Sequence, residues 1–229
     1  MKTKTILLGI ILSITAFSVN AQSAVLKAGI NLANVSVTDD GRVNEANMLT
    51  GFQVGISGDI PLGTKIISFQ PALLLTSKGS KTESGNPGGF YSKATTNPFY
   101  IEIPLNLVFK APISKTTKFF VGAGPYGAVG IGGKTKIQNT TPLTEQNYDK
   151  DIEFSNDDPT TLDYEEGAGF GIIKRFDYGL NGTAGIEGKS MILGINYGLG
   201  LAKLQSGSNN SVDNNNKHRV LSFTLGFKL

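Results

Sequence analysis

The chain has 229 residues, of which 39% are hydrophobic, only 17% are charged and 29 are glycines. Cysteine is absent, which excludes disulfide bonds and thiolate metal sites, and the formal net charge of +3 is too small to indicate a nucleic-acid partner. This composition is unusual for a soluble domain but suits a transmembrane barrel, whose apolar residues face lipid around a polar interior.

The first 21 residues have the features of a secretory signal peptide. Lys2 and Lys4 precede an apolar run from Ile6 to Val19, and a small residue, Ala21, stands before Gln22. A basic start, a short apolar stretch and a small residue at the cut are the marks of such a peptide, and the run is too short to span a membrane as a helix. We therefore expect cleavage after Ala21 and a mature domain over residues 22–229.

The rest of the chain is dominated by alternation of apolar and polar residues. In Asn97–Ala111, for example, the apolar residues from Phe99 to Phe109 fall on one face, and Glu102 and Lys110 fall on the other. Period-two alternation predicts β-strands with one apolar face. Eight segments show it: Leu26–Leu32, Phe52–Ile60, Ile67–Thr76, Asn97–Ala111, Phe119–Gly132, Arg175–Glu187, Met191–Lys203 and His218–Leu229.

The connections between these segments alternate in length. Short turns are predicted near Pro61–Thr64, Ala111–Thr117 and Gly188–Ser190. Long loops are predicted at Thr38–Met48, Gly79–Thr96, Gly133–Gly167 and Ser206–Asn216. This pattern is typical of bacterial outer-membrane barrels, with the short turns in the periplasm. We therefore predict an all-β, eight-stranded antiparallel transmembrane barrel with both termini periplasmic. The alternative is a lipocalin-like soluble barrel, whose apolar face would point inward.

Prolines and aromatic residues add two local expectations. Pro71, Pro104 and Pro125 lie inside strands, where each removes a ladder donor, so we expect β-bulges there. Aromatic residues near strand ends are expected in the membrane-interface girdles. These residues are Phe99, Tyr100, Phe119, Phe120, Phe176 and Tyr178.

Four segments resemble a known family. They are Tyr100–Leu107 (YIEIPLNL), Gly122–Gly127 (GAGPYG), Arg175–Leu180 (RFDYGL) and Asn196–Leu201 (NYGLGL). In this order they are similar to the Bacteroidetes-type outer-membrane β-barrel domain, a porin-like family that includes PorT. The resemblance implies an eight-stranded outer-membrane barrel and no particular reaction. Its PorT branch is associated with type IX secretion. The C-terminal Phe227-Lys228-Leu229 resembles the signal read by the barrel-assembly machinery.

Charged residues on the polar strand faces form the candidate site. The seven residues are Lys27, Asp59, Glu102, Lys110, Asp177, Glu187 and Lys228. Opposite charges buried in a narrow barrel must pair, because an unpaired buried charge costs several kcal/mol. A structural ion-pair network is therefore expected, with the selectivity lining of a small pore as the functional alternative. In that alternative the many glycines on the same face loosen the packing, and a narrow water path is the hypothesis that follows.

Two other features carry weaker functional hypotheses. The loop Gly133–Gly167 holds half of the chain's acidic residues and is either solvated or a calcium site, although its spacing does not fit an EF-hand. His218, the only histidine, and Ser222 share a predicted lumen face, away from lipid substrate. No catalytic, cofactor or metal site is therefore predicted.

The sequence indicates a non-enzymatic outer-membrane protein, either structural or a narrow porin-like channel. The alternative is an accessory subunit of a secretion or surface-assembly complex that acts through its long external loops. The expected partners are outer-membrane lipid, the barrel-assembly machinery during insertion, and envelope proteins bound at those loops.

Overall fold

The computed structural model describes residues 23–36, 48–63, 66–85, 90–142, 144–155, 172–204 and 217–229. The predicted signal peptide therefore lies outside the described residues. Twelve strands occur in the described part. They are β1 (Ser23–Ser36), β2 (Leu49–Pro61), β3 (Ile67–Ser77), β4 (Ser80–Gly85), β5 (Tyr91–Pro112), β6 (Lys118–Thr141), β7 (Thr144–Asp151), β8 (Glu153–Phe154), β9 (Ile172–Ile173), β10 (Phe176–Glu187), β11 (Met191–Gly200) and β12 (Lys217–Lys228). Among these residues no helix is long and apolar enough to cross a membrane.

Eight of the strands close into a ring of antiparallel pairs. The order around the ring is β5, β3, β2, β1, β12, β11, β10 and β6, and pairing between β5 and β6 closes it. Every pair in the ring is antiparallel. The prediction of an eight-stranded antiparallel barrel is confirmed.

The ring is staggered. Starting from Lys110 in β5, the ladder partners lead through Phe120, Gly185, Gly194, Thr224, Gly29, Gln53 and Thr76 back to β5. The path arrives at Tyr100, ten residues from its start. Such a stagger requires the strands to tilt from the barrel axis, by about 35–45° in closed barrels. An eight-stranded barrel of this kind has an interior that side chains can fill.

The apolar strand faces point outward. Ile103, Leu107 and Phe109 of β5 are exposed, whereas Glu102 and Lys110, which occupy alternate positions of the same strand, are buried. Similar alternation in the other ring strands gives an apolar outer wall around a polar interior, as predicted, and this excludes the lipocalin-like alternative. The girdle prediction is wrong for Tyr100 and Phe120, which are buried in the lumen because they share the inward alternation of their strands.

One end of the barrel carries the short turns, the start of β1 and the end of β12. The turn after β2 is closed by a hydrogen bond from Leu62 N to Ile67 O, and Gly63 adopts a positive φ of 70° there. Val25 pairs with Lys228, so β1 begins and β12 ends at this same turn end. The opposite end, called the loop end below, carries the longer connections.

Two predicted loops are in part strands. β5 and β6 are 22 and 24 residues long in total, and both extend past the loop end of the ring. In this extension β5 pairs with β4, and β6 pairs with β7. The four strands form a projecting sheet in the order β4-β5-β6-β7, which takes in much of Gly79–Thr96 and the first part of Gly133–Gly167. The sequence did not reveal these strands, because polar residues outside the membrane follow no apolar alternation.

The expected bulges at the prolines are absent. Ladder pairing stops briefly beside Pro71, Pro104 and Pro125 but resumes in the same register, so no extra residue is inserted. The one register shift recorded between β5 and β6 lies at Phe99/Tyr100. Proline lacks a backbone N–H, so each proline removes one ladder hydrogen bond. It adds no extra residue to the strand, and the register therefore continues unchanged past the missing bond.

Candidate functional site in the barrel lumen

An inner ion cluster crosses the lumen near the turn end. Lys110 Nζ lies 2.5 Å from Asp59 Oδ2 and 2.8 Å from Glu187 Oε2, and Lys228 Nζ lies 2.6 Å from Glu187 Oε1. Gln70 donates a 3.1 Å hydrogen bond to Asp59. The four charged residues come from β2, β5, β10 and β12, which are separated from one another by single strands of the ring. The inner cluster therefore ties alternate strands together across the interior.

An outer ion cluster lies toward the loop end. Lys78, directly after β3, forms ion pairs with Glu102 of β5 and with Asp177 of β10, the second at 3.0 Å. All three side chains are almost completely buried. The Lys78 ammonium lies 4.2 Å from the centre of the Tyr126 ring, whose hydroxyl donates to Asp177 at 3.2 Å. One cation thus serves two carboxylates and an aromatic face.

Aromatic and aliphatic side chains cover the outer cluster. Tyr100 is fully buried and packs edge-on against His218 at 5.6 Å and against Phe154 at 6.3 Å. Tyr126, Ala128, Ile152 and Ile173 complete this cover. Phe154 and Ile173 come from β8 and β9, which pair in parallel, so residues from the connection after β7 pack against Tyr100 and Tyr126 at the loop end.

A small polar cavity separates the two clusters. Its volume is about 40 Å³, enough for a few water molecules. Lys27 lines it together with Glu102, Lys78 and several amide and hydroxyl side chains. Lys27 also lines a second cavity of about 10 Å³ with Asp59 and Glu187, yet it has no ion pair within 4 Å in the described residues.

Glycines on the lumen face make room for large rings. A Cβ at Gly185 would approach the Phe120 ring to 2.7 Å, and a Cβ at Gly130 would overlap the Phe154 ring. The glycine-rich face therefore holds aromatic side chains at these two positions, and the narrow water path stays a hypothesis. Close packing, not looseness, explains these glycines.

The structure thus places six of the seven predicted residues in ion pairs, divided between two clusters. Their role as a pore lining stays a prediction. Sequence reasoning missed Lys78, the centre of the outer cluster, because the strand was predicted to end at Thr76, two residues before it. Extending the alternation of Ser68, Gln70, Ala72 and Thr76 by two residues would have placed Lys78 in the lumen.

His218 and Ser222 do lie inside, as their phase predicts. Both are buried, and the Nε2 atom of His218 lies 3.4 Å from the Tyr100 hydroxyl. Ser222 lines the central cavity. Within the described residues, both side chains therefore lie in the barrel interior and not on its apolar outer wall.

The acidic segment is described only up to residue 155. Within β7, Asp149 and Asp151 stand opposite Lys136 and Lys134 of β6. Cross-strand lysines favour the solvated interpretation, and no group of three or more potential metal ligands occurs among the described residues. On the far side of the projecting sheet, Lys93 lies 3.1 Å from Glu83, and this hydrogen bond lowers the pKa of the exposed Glu83 carboxyl.

The chain is similar to known proteins in sequence and in structure. Residues 20–206 match the family described as outer membrane protein beta-barrel domain. Ail, the attachment invasion locus protein of Yersinia pestis, has a similar structure at 10% identity and a TM-score of 0.41, covering 90% of this chain and 98% of that one. Neisserial surface protein A (NspA) aligns at 11% identity and a TM-score of 0.42, covering 90% and 96%.

No curated protein matches the chain at a significant level. The family match spans well over half of the sequence and agrees with the closed ring, its apolar outer wall and its polar interior. The chain belongs to the outer membrane protein beta-barrel domain family.

Proposed function

We propose that the protein is a non-enzymatic, non-conducting outer-membrane barrel that supports a folded sheet outside the membrane. The observation that carries this proposal is the filled lumen. Ion pairs from four ring strands cross it near the turn end, and a second cluster under an aromatic cover fills it near the loop end. The cavity between them is large enough for a few water molecules only.

The porin-like channel is the competing role, and conductance separates the two. The purified, heat-modifiable barrel would be inserted into a planar bilayer and recorded under voltage. We expect a silent membrane, because an ion would have to break both clusters to pass. Discrete channel events in the wild-type protein would overturn the proposal. In that case Glu102→Gln should change the ion selectivity, while Glu83→Gln on the projecting sheet should not.

The projecting sheet supports a second candidate role, that of an accessory subunit in a secretion or surface-assembly complex, as in the PorT branch. All but one residue of β7 are exposed, and its backbone pairs on one side with β6. Among the described residues no strand pairs with the other edge of β7, and a strand edge outside the membrane is a common docking place for another protein. Cross-linking from Tyr148, replaced by a photoreactive residue, should capture an envelope protein in cells, whereas the same residue at position 115, at the turn end, should not.

The proposed orientation places the turn end in the periplasm. In this proposal the signal peptide directs export, and the barrel-assembly machinery then recognises the C-terminal strand and inserts the barrel. Cysteine substitutions at Lys189 and Tyr148 test it, because the natural chain has no cysteine. A membrane-impermeant thiol reagent should label Tyr148→Cys on intact cells and Lys189→Cys only after the outer membrane is opened. The reverse labelling pattern would contradict this orientation.

A further inference from the structure

One edge of the projecting sheet pairs with no further strand among the described residues. β7 pairs with β6 on one side and is the last strand of the sheet, and seven of its eight residues are exposed. The opposite edge, β4, is shorter, and Met48 forms a bridge with its first residue, Ser80. Within this part of the chain, β7 is therefore the longer and more open edge.

The ladder with β6 decides which backbone groups of β7 lie on its free edge. Ile152 N donates to Gly133 O at 3.0 Å, one step beyond the pair formed by Asp151 and Lys134. Bonded and non-bonded pairs alternate along an antiparallel ladder, so the even-numbered residues of β7 bond to β6. The odd-numbered residues direct their N–H and C=O groups to the free edge over about 20 Å. They are Glu145, Asn147, Asp149 and Asp151.

The side chains of these four edge residues share one face of the sheet, because alternate residues of a strand point to the same side. Three of the four are acidic, and all four are exposed. On β6, lysines stand opposite Asp149 and Asp151, whereas Thr140 stands opposite Glu145. The free edge of β7 thus presents backbone donors and acceptors together with a row of carboxylates.

A second copy of β7 does not suit this edge. Two identical antiparallel strands are related by a two-fold axis perpendicular to the sheet, so the acidic face of one would continue into the acidic face of the other. In the registers that pair most of β7, Glu145 would stand opposite Asp149 or Asp151 of the other copy, or Asp149 opposite itself. Like charges directly opposite each other destabilise a sheet, so the complementary strand is a basic one.

We propose that β7 binds an extended segment of another protein as an added strand, with lysine or arginine at alternate positions on the face of the four edge residues. Main-chain hydrogen bonds to the edge residues provide the affinity, and the carboxylates select the basic side chains. This inference deepens the accessory role given above as a second candidate function, and it rests on that role for the placement of the sheet outside the membrane. It does not depend on the filled lumen.

The probe is an eight-residue peptide of alternating lysine and threonine with both ends blocked, titrated into the full-length barrel in a neutral detergent. Residue-resolved amide hydrogen exchange shows where it binds. The amides of Asn147 and Asp149 should exchange roughly two- to tenfold more slowly with bound peptide, because each gains a hydrogen bond. The amides of Gln146 and Tyr148 already bond to β6 and should not change. Equal slowing along β7, or none, would overturn the proposal.

The contribution of the backbone is isolated by Asn147→Pro and its matched control, Asn147→Ala. Both variants lose the 3.4 Å hydrogen bond from Asn147 to Glu145 and keep every charge. Proline also removes an N–H on the free edge, where a strand tolerates it, and no bond to β6. Asn147→Pro should bind the peptide roughly fivefold more weakly than Asn147→Ala. Equal binding by the two variants would contradict strand addition.

The contribution of charge is tested with Glu145→Gln, which should weaken peptide binding about two- to fivefold. Glu83→Gln on β4 removes the same charge at the other edge and should leave binding unchanged. Equal weakening in both variants would show a general charge effect and overturn the proposal. So would full binding of a peptide whose lysines are N-methylated on the backbone, because such a peptide cannot add as a strand.

These outcomes are distinguishable from a failure of the proposed function. Conductance in a planar bilayer tests the filled lumen, and cross-linking from Tyr148 in cells tests the accessory role. A captured envelope protein together with unprotected amides at Asn147 and Asp149 would keep the accessory role and overturn strand addition. Heat-modifiable migration on gels confirms that each variant still forms a barrel.

Discussion

The inner and outer ion clusters fill the same lumen with different amounts of compensation. In the inner cluster, two lysines serve two carboxylates, and Glu187 contacts both Lys110 and Lys228. In the outer cluster, a single lysine serves both Glu102 and Asp177, under a cover of aromatic rings. Removing one lysine should therefore lower the free energy of unfolding less in the inner cluster, where a second lysine remains, than in the outer cluster, where none remains.

The largest expected effect is that of Lys78→Met. It leaves Glu102 and Asp177 buried without a cation within 4 Å in the described residues. Removing one partner of a buried ion pair typically costs about 3–5 kcal/mol, and we expect a loss of that size in the free energy of unfolding, measured by urea titration in lipid micelles. The triple variant Lys78→Met/Glu102→Gln/Asp177→Asn should recover much of the loss. A loss no larger than that of Lys93→Met, an exposed control, would contradict the assignment.

Lys110→Met tests whether the second lysine of the inner cluster reduces the loss. Glu187 keeps Lys228, and Asp59 keeps its hydrogen bond from Gln70. We expect a smaller loss than for Lys78→Met, about 1–3 kcal/mol by the same titration, which is typical of a buried polar group left partly satisfied. Losses of equal size in the two variants would mean that the extra lysine of the inner cluster gives no protection.

The cover of the outer cluster can be tested through glycine. Gly130→Ala would push the Phe154 ring away from its place, whereas a Cβ at Gly127 in the same strand meets nothing within 4 Å. Overpacking of this kind costs about 1–3 kcal/mol, so Gly130→Ala should lower the unfolding free energy, and Gly127→Ala should leave it nearly unchanged. Hydrogen exchange should also accelerate at Phe154 and Ile173 in Gly130→Ala alone. Equal effects of the two substitutions would argue against a packed cover.

Lys228→Met should have the smallest effect. Its side chain is 21% exposed, and Glu187 retains Lys110 when Lys228 is removed. Partly solvated pairs contribute little, so the expected loss of unfolding free energy is below about 1 kcal/mol. A loss as large as that of Lys110→Met would show that the turn end of the lumen is more closed to water than its exposure indicates.

The ring itself could be predicted from the sequence, because membrane strands obey a simple rule. Every outward position must be apolar and every inward position is free to be polar, so Asn97–Ala111 already indicated both the strand and its faces. The same alternation placed Glu102, Lys110, Asp177 and Glu187 inside. The alternation could not predict which charges form pairs. That depends on the stagger of ten residues, because the stagger decides which residues of different strands lie at the same level along the barrel axis.

Other parts followed no such rule. The projecting sheet lies outside the ring, where both faces of a strand tolerate polar residues, so β4 and β7 had no signature in the sequence. The packing around the lumen glycines could not be predicted, because it depends on atoms of other strands. A Cβ at Gly185 would meet the Leu193 carbonyl oxygen of β11 as well as the Phe120 ring of β6.

The three prolines have a consequence for how the wall yields. Ladder pairing is interrupted at Gly58/Pro71, at Ala72/Pro104 and at Leu105/Pro125, and these gaps follow one another across β2, β3, β5 and β6. In hydrocarbon, where no water replaces a lost bond, such a line is the weakest part of the ring. Under lateral pressure from the bilayer, the sheet should therefore bend mainly along this line. The wall formed by β10, β11, β12 and β1, whose ladders are continuously paired, should bend less.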